Sequence, residues 1–360
     1  MAAHEQRRRG FDLAVVISAS HNPYADNGIK FFGADGFKLS DETEREIELH
    51  VEEDAGGGGA QIGRIAALDG TAEDYVGELQ RRFAGLSLAG IDVVLDCANG
   101  ATFEVAPEIF SRLGASVTSI SVAPDGRNIN ERCGSTHLEA LSRVVREGGH
   151  DLGFAFDGDG DRVLAVDREG TLVDGDELLA LAALHLRSAG RLDGGGVVVT
   201  VMTNYGFHAA MAQAGVEVAI TAVGDRYVLE EMRERGWALG GEQSGHIIEL
   251  GFAPSGDGIA AALLVLEALD GGDLKERAAM AKLPQRLVNV AVADRDALAG
   301  SAEVHDAVAR ESAGLEGRGR VLVRPSGTEP LVRVMVEAPS EEETDAVCAR
   351  LVAIVTEALG

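Results

Sequence analysis

The sequence predicts a multidomain α/β protein, with mixed αβ sheets covered by helices and a small α+β unit at the C-terminal end. Three observations predict it. Two long blocks alternate short apolar runs with amphipathic stretches, 91–186 and 197–269. That rhythm implies largely parallel sheets with helices laid over them. From about residue 284 the rhythm changes to strands and helices in α+β order. The chain's 360 residues can hold several such units, each with a core of its own.

The elements follow in order. Leu13–Ile17 (LAVVI) is apolar and β-branched and reads as a buried strand. A loop rich in Asn, Pro and Gly follows to Gly28. Asp41–Asp54 reads as an acidic helix, with Asp41 as N-cap and Glu44 three residues on. Gly56–Gly59 reads as a flexible break. In the first block, strands are expected at 91–96, 116–122 and 152–156, with helices at 103–113 and 138–147. In the second, strands fall at 197–202, 216–222 and 237–239, with helices at 207–214, 227–235 and 259–269. The last block offers strands at 286–293, 321–323 and 332–337, and helices near 302–311 and 342–359.

Composition narrows the function classes. Hydrophobic residues make up 46% and charged residues 25%, which is neither a disordered nor a fibrous composition. Acidic residues number 59 against 32 basic ones, a formal net charge of −27. A field of that sign repels phosphate polymers, so no nucleic-acid partner is expected. No apolar run is long enough to span a bilayer, and no membrane partner is expected. Met1–Gly10 is polar and basic, without the apolar stretch of a secretory leader. Cys97, Cys133 and Cys348 are scattered and form no zinc or disulfide pattern, which favours a reducing, cytoplasmic setting.

Four loops carry chemistry. Ser18-Ala19-Ser20-His21-Asn22-Pro23 leaves the first strand at its C-terminal edge, where a hydroxyl such as Ser20 can carry a phosphoryl group. A turn would use the same residue types. In an extended segment the adjacent Ser20 and His21 side chains would point apart, which argues against a dyad between them. The second loop, Asp157-Gly158-Asp159-Gly160-Asp161-Arg162, sets three carboxylates at every second residue, with glycines permitting a tight path. Three hard oxygens suit Mg²⁺ and leave positions for a phosphate oxygen and water. A calcium EF-hand loop would need Gly and Glu where Arg162 and Arg168 stand. The third loop, Gly240–His246 (GGEQSGH), offers Glu, Gln, Ser and His for a polyhydroxylated ligand. The fourth, Arg324-Pro325-Ser326-Gly327-Thr328-Glu329-Pro330 followed by Arg333, is suited to a phosphate dianion. Together they describe phosphoryl transfer within a phosphosugar.

On these residues the chain resembles the α-D-phosphohexomutase superfamily, and within it the bacterial phosphoglucosamine mutases. The resemblance runs from about Leu13 to the end, through ISASHNPYADNGIKFFGADGFKLS, DGDGDR, GGEQSGHII and RPSGTEPLVRV. VVLDCANGA, CGSTH (Cys133–His137) and AVGDRYVLEEM support it. It implies interconversion of glucosamine 6-phosphate and α-D-glucosamine 1-phosphate, on the route to UDP-N-acetylglucosamine and the cell wall. Ser20 matches the family's phosphoserine. Asp157, Asp159 and Asp161, with the Ser20 phosphate, match its single Mg²⁺ site. Glu242 and Ser244 match sugar contacts. Arg324, Ser326, Gly327 and Thr328 match the substrate-phosphate site, with Arg333 in support. Lys30 and Arg162 match basic positions near the reacting groups, and Lys30 is a candidate general acid/base. The partner implied is a small-molecule phosphosugar, with a glucose- or glucosamine-1,6-bisphosphate activator. Oligomeric state is left open.

The implied division is 1–72 (remnant of domain 1, with the phosphoserine loop), 73–173 (domain 2, metal loop), 174–283 (domain 3, sugar loop) and 284–360 (domain 4, phosphate loop). Two departures stand out. Glu249–Ser255 (ELGFAPS) replaces the polar stretch usual after GGEQSGHII. Only Met1–Asp12 precedes the serine strand, where the family has a longer segment with a Thr-Asp-Gly-x-Arg-Gly motif. The expectation is therefore a truncated first domain, with the Leu13–Ile17 strand left exposing an edge. Phosphomannomutase/phosphoglucomutase, or a truncated phosphosugar-binding protein without turnover, are the alternatives.

Overall fold

The computed structural model describes residue 6, residues 8–52, 63–326 and 329–360. They form two compact units, 1–202 with 216–277 and 203–215 with 278–360. The glycine run 56–59 and Asp54 lie outside the described residues, as do Gly327 and Thr328.

The larger unit opens with β1 (Leu13–Ser18) and β2 (Gly28–Gly33), an antiparallel two-stranded sheet in which Val16 pairs with Lys30. The strand expected to be buried is only half so. Its residues alternate, leaving Leu13, Val15 and Ile17 at 50%, 49% and 71% exposure. The helix α1 (Asp41–Glu52) follows. Its first turn is capped by Ser40, whose hydroxyl accepts from the Thr43 amide at 3.3 Å; the side chain of Asp41, the expected cap, lies outside what is described. Next comes α2 (Thr71–Arg82), which composition alone did not mark because its polar face dominates.

A five-stranded sheet follows, in the order β4-β3-β5-β6-β7. β3 (Asp92–Asp96) is parallel to β4 (Ser116–Ile120) and to β5 (Leu152–Phe156), with α3 (Val105–Arg112) and α4 (Glu139–Gly148) as crossovers. β5 is then antiparallel to β6 (Val163–Asp167), which pairs with β7 (Leu172–Val173). The next sheet runs β11-β10-β8-β9. β8 (Gly196–Thr200) is parallel to β9 (Glu217–Thr221) and β10 (Leu239–Gly241). β10 is antiparallel to β11 (Ile247–Glu249). Each expected parallel sheet is thus parallel in its body and finished by an antiparallel hairpin. The strand expected at 237–239 lies two residues further on, because Trp237 is spent filling space over Gly194 and Gly196. Helix α5 (Gly175–Ser188) begins with a capping box, Asp174 and Glu177 exchanging hydrogen bonds at 3.3 Å.

The smaller unit holds α6 (Tyr205–Ala214) and a three-stranded antiparallel sheet, β12-β14-β13. Its strands are β12 (Gln285–Ala291), β13 (Arg320–Pro325) and β14 (Leu331–Glu337). Helix α9 (Ala302–Gly314) and the long α10 (Glu341–Leu359) bury Val304, Ala307, Val347, Leu351 and Val355 against it. The remaining helices of the larger unit are α7 (Asp225–Arg235) and α8 (Gly258–Leu269). The apolar sequence of α8 is buried through most of its length because α5 packs on it and strands of both larger sheets flank it.

Candidate active site

All four chemistry-bearing loops are connections between antiparallel strands. The serine loop joins β1 to β2, the Asp loop β5 to β6, the GGEQSGH loop β10 to β11, and the RPSGTEP loop β13 to β14. A hairpin turn projects its residues beyond the sheet while both flanking strands fix its ends.

The Asp loop is the centre. Asp157 is fully buried and accepts from the Arg162 amide at 3.1 Å. One oxygen from each of Asp157, Asp159 and Asp161 falls within 4.8 Å of the others. Burial and the two neighbouring carboxylates push the Asp157 carboxyl well above its ordinary range. Oδ1 of Asp159 and Oδ1 of Asp161 are buried without a hydrogen-bond partner. A cluster of crowded, unsatisfied hard oxygens is the donor set a divalent cation such as Mg²⁺ takes.

Ser20 stands beside it. Its Oγ lies 3.5 Å from Asp157 Oδ2, and its carbonyl accepts from the Gly158 amide at 2.9 Å. Its φ of 52° takes the chain out of the extended conformation. The expected separation of Ser20 and His21 is consequently corrected, since Ser20 Oγ lies 3.4 Å from His21 Nδ1. Burial, then the nearby Arg162, lowers the His21 pKa, which favours the neutral ring.

Lys30 reaches in from β2. Its Nζ donates to Asp159 Oδ2 at 2.6 Å and to Asp161 Oδ2 at 3.1 Å. Burial alone would ease its proton off, but the two carboxylates outweigh burial and hold the amine charged. Burial likewise opposes ionisation of Asp161, while His246, Lys30 and Arg162 keep it ionised. Arg162 Nε, 4.0 Å from Asp161 Oδ1, is buried without a hydrogen-bond partner.

The sugar-type loop meets the Asp loop directly. Val163 donates to the Gly245 carbonyl at 3.0 Å, and Arg162 forms a β-bridge with His246. Glu242 accepts from the Gly224 amide at 3.1 Å, and the Ser244 hydroxyl is buried without a partner. Ser20, Lys30, Arg162, Glu242 and Ser244 line one cavity of about 560 Å³. Sequence reasoning left out two of its members, Lys38 and Asp225. They form an ion pair beside His246, whose Nε2 lies 3.7 Å from Asp225 and 3.8 Å from Asp161. The signal for Asp225 was AVGDRY and for Lys38 the end of ISASHNPYADNGIKFFGADGFKLS, both quoted for the resemblance but not read for charge.

In the smaller unit, Arg324 and Arg333 are cross-strand partners. Like charges set directly opposite each other are unfavourable unless an anion is shared between them. Burial, then Arg333, lowers the Arg324 pKa. Ser326 is buried, and its hydroxyl accepts from the Glu329 amide at 3.3 Å. Gly327 and Thr328, expected in this loop, lie outside the described residues.

Four phosphoglucomutase/phosphomannomutase family models match in chain order. Alpha/beta/alpha domains I, II and III match residues 1–56, 67–170 and 174–287, and the C-terminal domain matches 287–354. A phosphoglucosamine mutase from Desulforudis audaxviator is 53% identical over 355 residues, covering 95% of this chain and 78% of its own. The chain belongs to the phosphoglucosamine mutase family. The Bacillus subtilis phosphoglucosamine mutase is 47% identical over 356 residues, covering 97% of this chain and 79% of its own. Among solved structures, a phosphoglucomutase/phosphomannomutase family protein from Burkholderia thailandensis aligns with TM-score 0.79 at 23% identity, over 96% of this chain and 76% of that one. N-acetylphosphoglucosamine mutase of Aspergillus fumigatus, solved with GlcNAc-6P and magnesium, aligns with TM-score 0.74 at 22% identity, over 100% of this chain and 91% of that one. These two likenesses show the fold. The four-domain phosphohexomutase architecture, with its small C-terminal domain, is that of this mutase family, and the chain is an isomerase of that kind.

Proposed function

We propose that this chain interconverts glucosamine 6-phosphate and α-D-glucosamine 1-phosphate through a phosphoserine at Ser20 and a bisphosphorylated sugar. The observation that carries the reading is Ser20 Oγ at 3.5 Å from Asp157, inside a triplet of converging carboxylates. The buried Glu242 and Ser244 line the same cavity.

Phosphorylated Ser20 gives its phosphoryl group to a sugar hydroxyl. The phosphorus–Ser20 oxygen bond breaks as the sugar oxygen bonds phosphorus, and the hydroxyl's proton ends on the released Ser20 oxygen. The sugar bisphosphate then reorients and returns its other phosphoryl group to Ser20. Asp157, Asp159 and Asp161, with the Ser20 phosphate, are the residues that would hold Mg²⁺. When bound, the cation offsets charge on the transferring group. Lys30 is the acid/base candidate, its charged amine lining the same cavity as Ser20. Arg162 adds positive charge beside Asp161. Glu242 and Ser244 orient the sugar hydroxyls. Arg324, Ser326, Gly327, Thr328 and Arg333 are assigned to the phosphate that is not being transferred.

The four segments 1–72, 73–173, 174–283 and 284–360 are taken as the functional domains. A sugar 1,6-bisphosphate serves as activator by phosphorylating Ser20. The product feeds UDP-N-acetylglucosamine and cell-wall synthesis. The free, buried Cys97, Cys133 and Cys348 suit a reducing cytoplasm, and no described helix is long and apolar enough to cross a membrane.

The test is turnover of glucosamine 6-phosphate by the purified chain with Mg²⁺ and catalytic glucose 1,6-bisphosphate, alongside intact-mass measurement. Wild type is expected to turn over and to carry one phosphoryl group, and Ser20→Ala to do neither. Equal rates on glucosamine and mannose phosphates would move the reading to a phosphomannomutase/phosphoglucomutase. Binding without turnover would move it to a phosphosugar-binding protein.

A further inference from the structure

Asn130 touches the serine loop from a distant part of the chain. Its side-chain amide spends both protons there. Nδ2 donates to the Ser20 carbonyl at 2.7 Å and to the Asn22 carbonyl at 2.8 Å. The Ser20 carbonyl also accepts from Gly158, so it is held from two directions. A Cβ on Gly158 would sit 2.5 Å from that oxygen, which leaves no room for any other residue there.

Asn130 is itself fixed. It is 7% exposed, and its amide donates to the Ala98 carbonyl at 2.9 Å. The fully buried Asp96 accepts from the Ala98 amide at 3.0 Å and from the Gly134 amide at 2.9 Å. Among the described residues, seven that are not glycine have left-handed φ values. Six of them (Ser20, Ala98, Asn99, Ser121, Asn130 and Arg132) belong to the serine loop or to the loops around Asp96 that hold it. Backbone in that region persists only where its surroundings impose it. Among the described residues, most of the non-glycine left-handed backbone thus lies in the serine loop and the loops packed around Asp96.

We propose that Asn130 is a positioning residue for phosphoryl transfer, setting the Ser20 hydroxyl against the Asp loop by fixing the Ser20 and Asn22 carbonyls. It hydrogen-bonds the Ser20 and Asn22 backbone carbonyls and acts through the backbone of Ser20. The inference rests on the mutase reading of the same site.

Two variants test it. Asn130→Asp keeps the shape and the tolerance for left-handed φ but replaces two donated hydrogen bonds by oxygen facing oxygen. Asn130→Gly suits φ 57° and removes the side chain altogether. Both are expected to lower kcat by about tenfold to a hundredfold, with KM changed by less than about threefold and melting lowered by a few degrees but still cooperative. Hydrogen exchange of the 18–24 segment is expected to speed up in both, while the β3–β5 core exchanges as in wild type.

A wild-type kcat in a folded variant would overturn the proposal. A rise in KM at unchanged kcat would overturn it too, by making Asn130 a substrate contact. Loss of the cooperative fold in both variants would make Asn130 structural and equally overturn it. If the wild-type chain itself shows no turnover, the mutase reading falls, and exchange in 18–24 then decides the inference. Faster local exchange in the variants supports it, and unchanged exchange ends it.

Discussion

Lys30 donates to Asp159 across 2.6 Å, although 129 residues separate them in the chain. The bond ties β2 of the serine hairpin to the Asp loop, and it places one cation among three carboxylates. Replacing it by Met keeps the length and deletes the charge. We expect Lys30→Met to lower kcat by about 10²–10³, the range seen when one charge-stabilising donor is lost. Melting without Mg²⁺ should fall as well, since the pair is mostly buried and its loss leaves the carboxylates facing one another. Steady-state kinetics beside a thermal melt checks this, and a variant within twofold of wild type would remove Lys30 from the machinery.

A second expectation concerns the cation. Three carboxylates within 4.8 Å, two with buried unsatisfied oxygens, repel one another without one. Mg²⁺ at about a hundred times its dissociation constant should add about 2.7 kcal/mol to stability. For a protein of this size that is a melting shift of about 3–4 °C. Asp159→Asn should abolish most of the shift. Differential scanning fluorimetry across a Mg²⁺ series reads it, and equal shifts in both proteins would place the cation elsewhere.

Gly245 offers a steric test of how the sugar-type loop is held. Its φ is 89°, and a Cβ there would collide with the Val163 carbonyl. Ala at this position combines left-handed strain with a backbone clash, costing about 2–4 kcal/mol. The loop would lift from β6, carrying Glu242 and Ser244 with it. Urea unfolding together with KM for the phosphosugar measures both effects. A Gly245→Ala protein as stable as wild type would show that the loop is not pinned at this contact.

The thiols give a fourth. Burial pushes the Cys97 thiol up to about 12. At pH 8 about one in ten thousand such thiols is ionised, and the thiolate is the reactive form. Cys133 and Cys348 are also free and buried, and burial raises both. A disulfide-exchange reagent should therefore find almost no reactive thiol in the native protein and all three after denaturation. Rapid labelling of the folded chain would contradict this.

The first strand of each site loop was legible in the sequence, and for three of the four loops the second was not. LAVVI, LGFAF and WAL announced strands, the last two residues early. GIKFFG, VLAVD and IIE were passed over. The αβ alternation invites a parallel reading, and a hairpin closing such a sheet is hidden behind its turn. Only the phosphate loop showed both flanks, because Val321–Val323 and Val332–Glu337 are β-branched on either side. The capping box Asp174–Glu177 was equally readable and would have placed α5. The motif residues themselves were visible because Asp at every second position has few other uses. Asn130 was not, since NIN resembles any polar turn until its amide is seen on the carbonyl of Ser20.

The alternation along β1 has a consequence for handling the protein. Leu13, Val15 and Ile17 present an apolar ridge to water, with Ile29 across from Ile17 at 59% exposure. Between copies, that ridge attracts while the net charge of −27 repels. Concentrated sulfate screens the repulsion and strengthens apolar contact at once. Dilute buffer is thus expected to keep copies apart, and concentrated sulfate to bring this ridge into contact, at the strand that delivers the chain to Ser20.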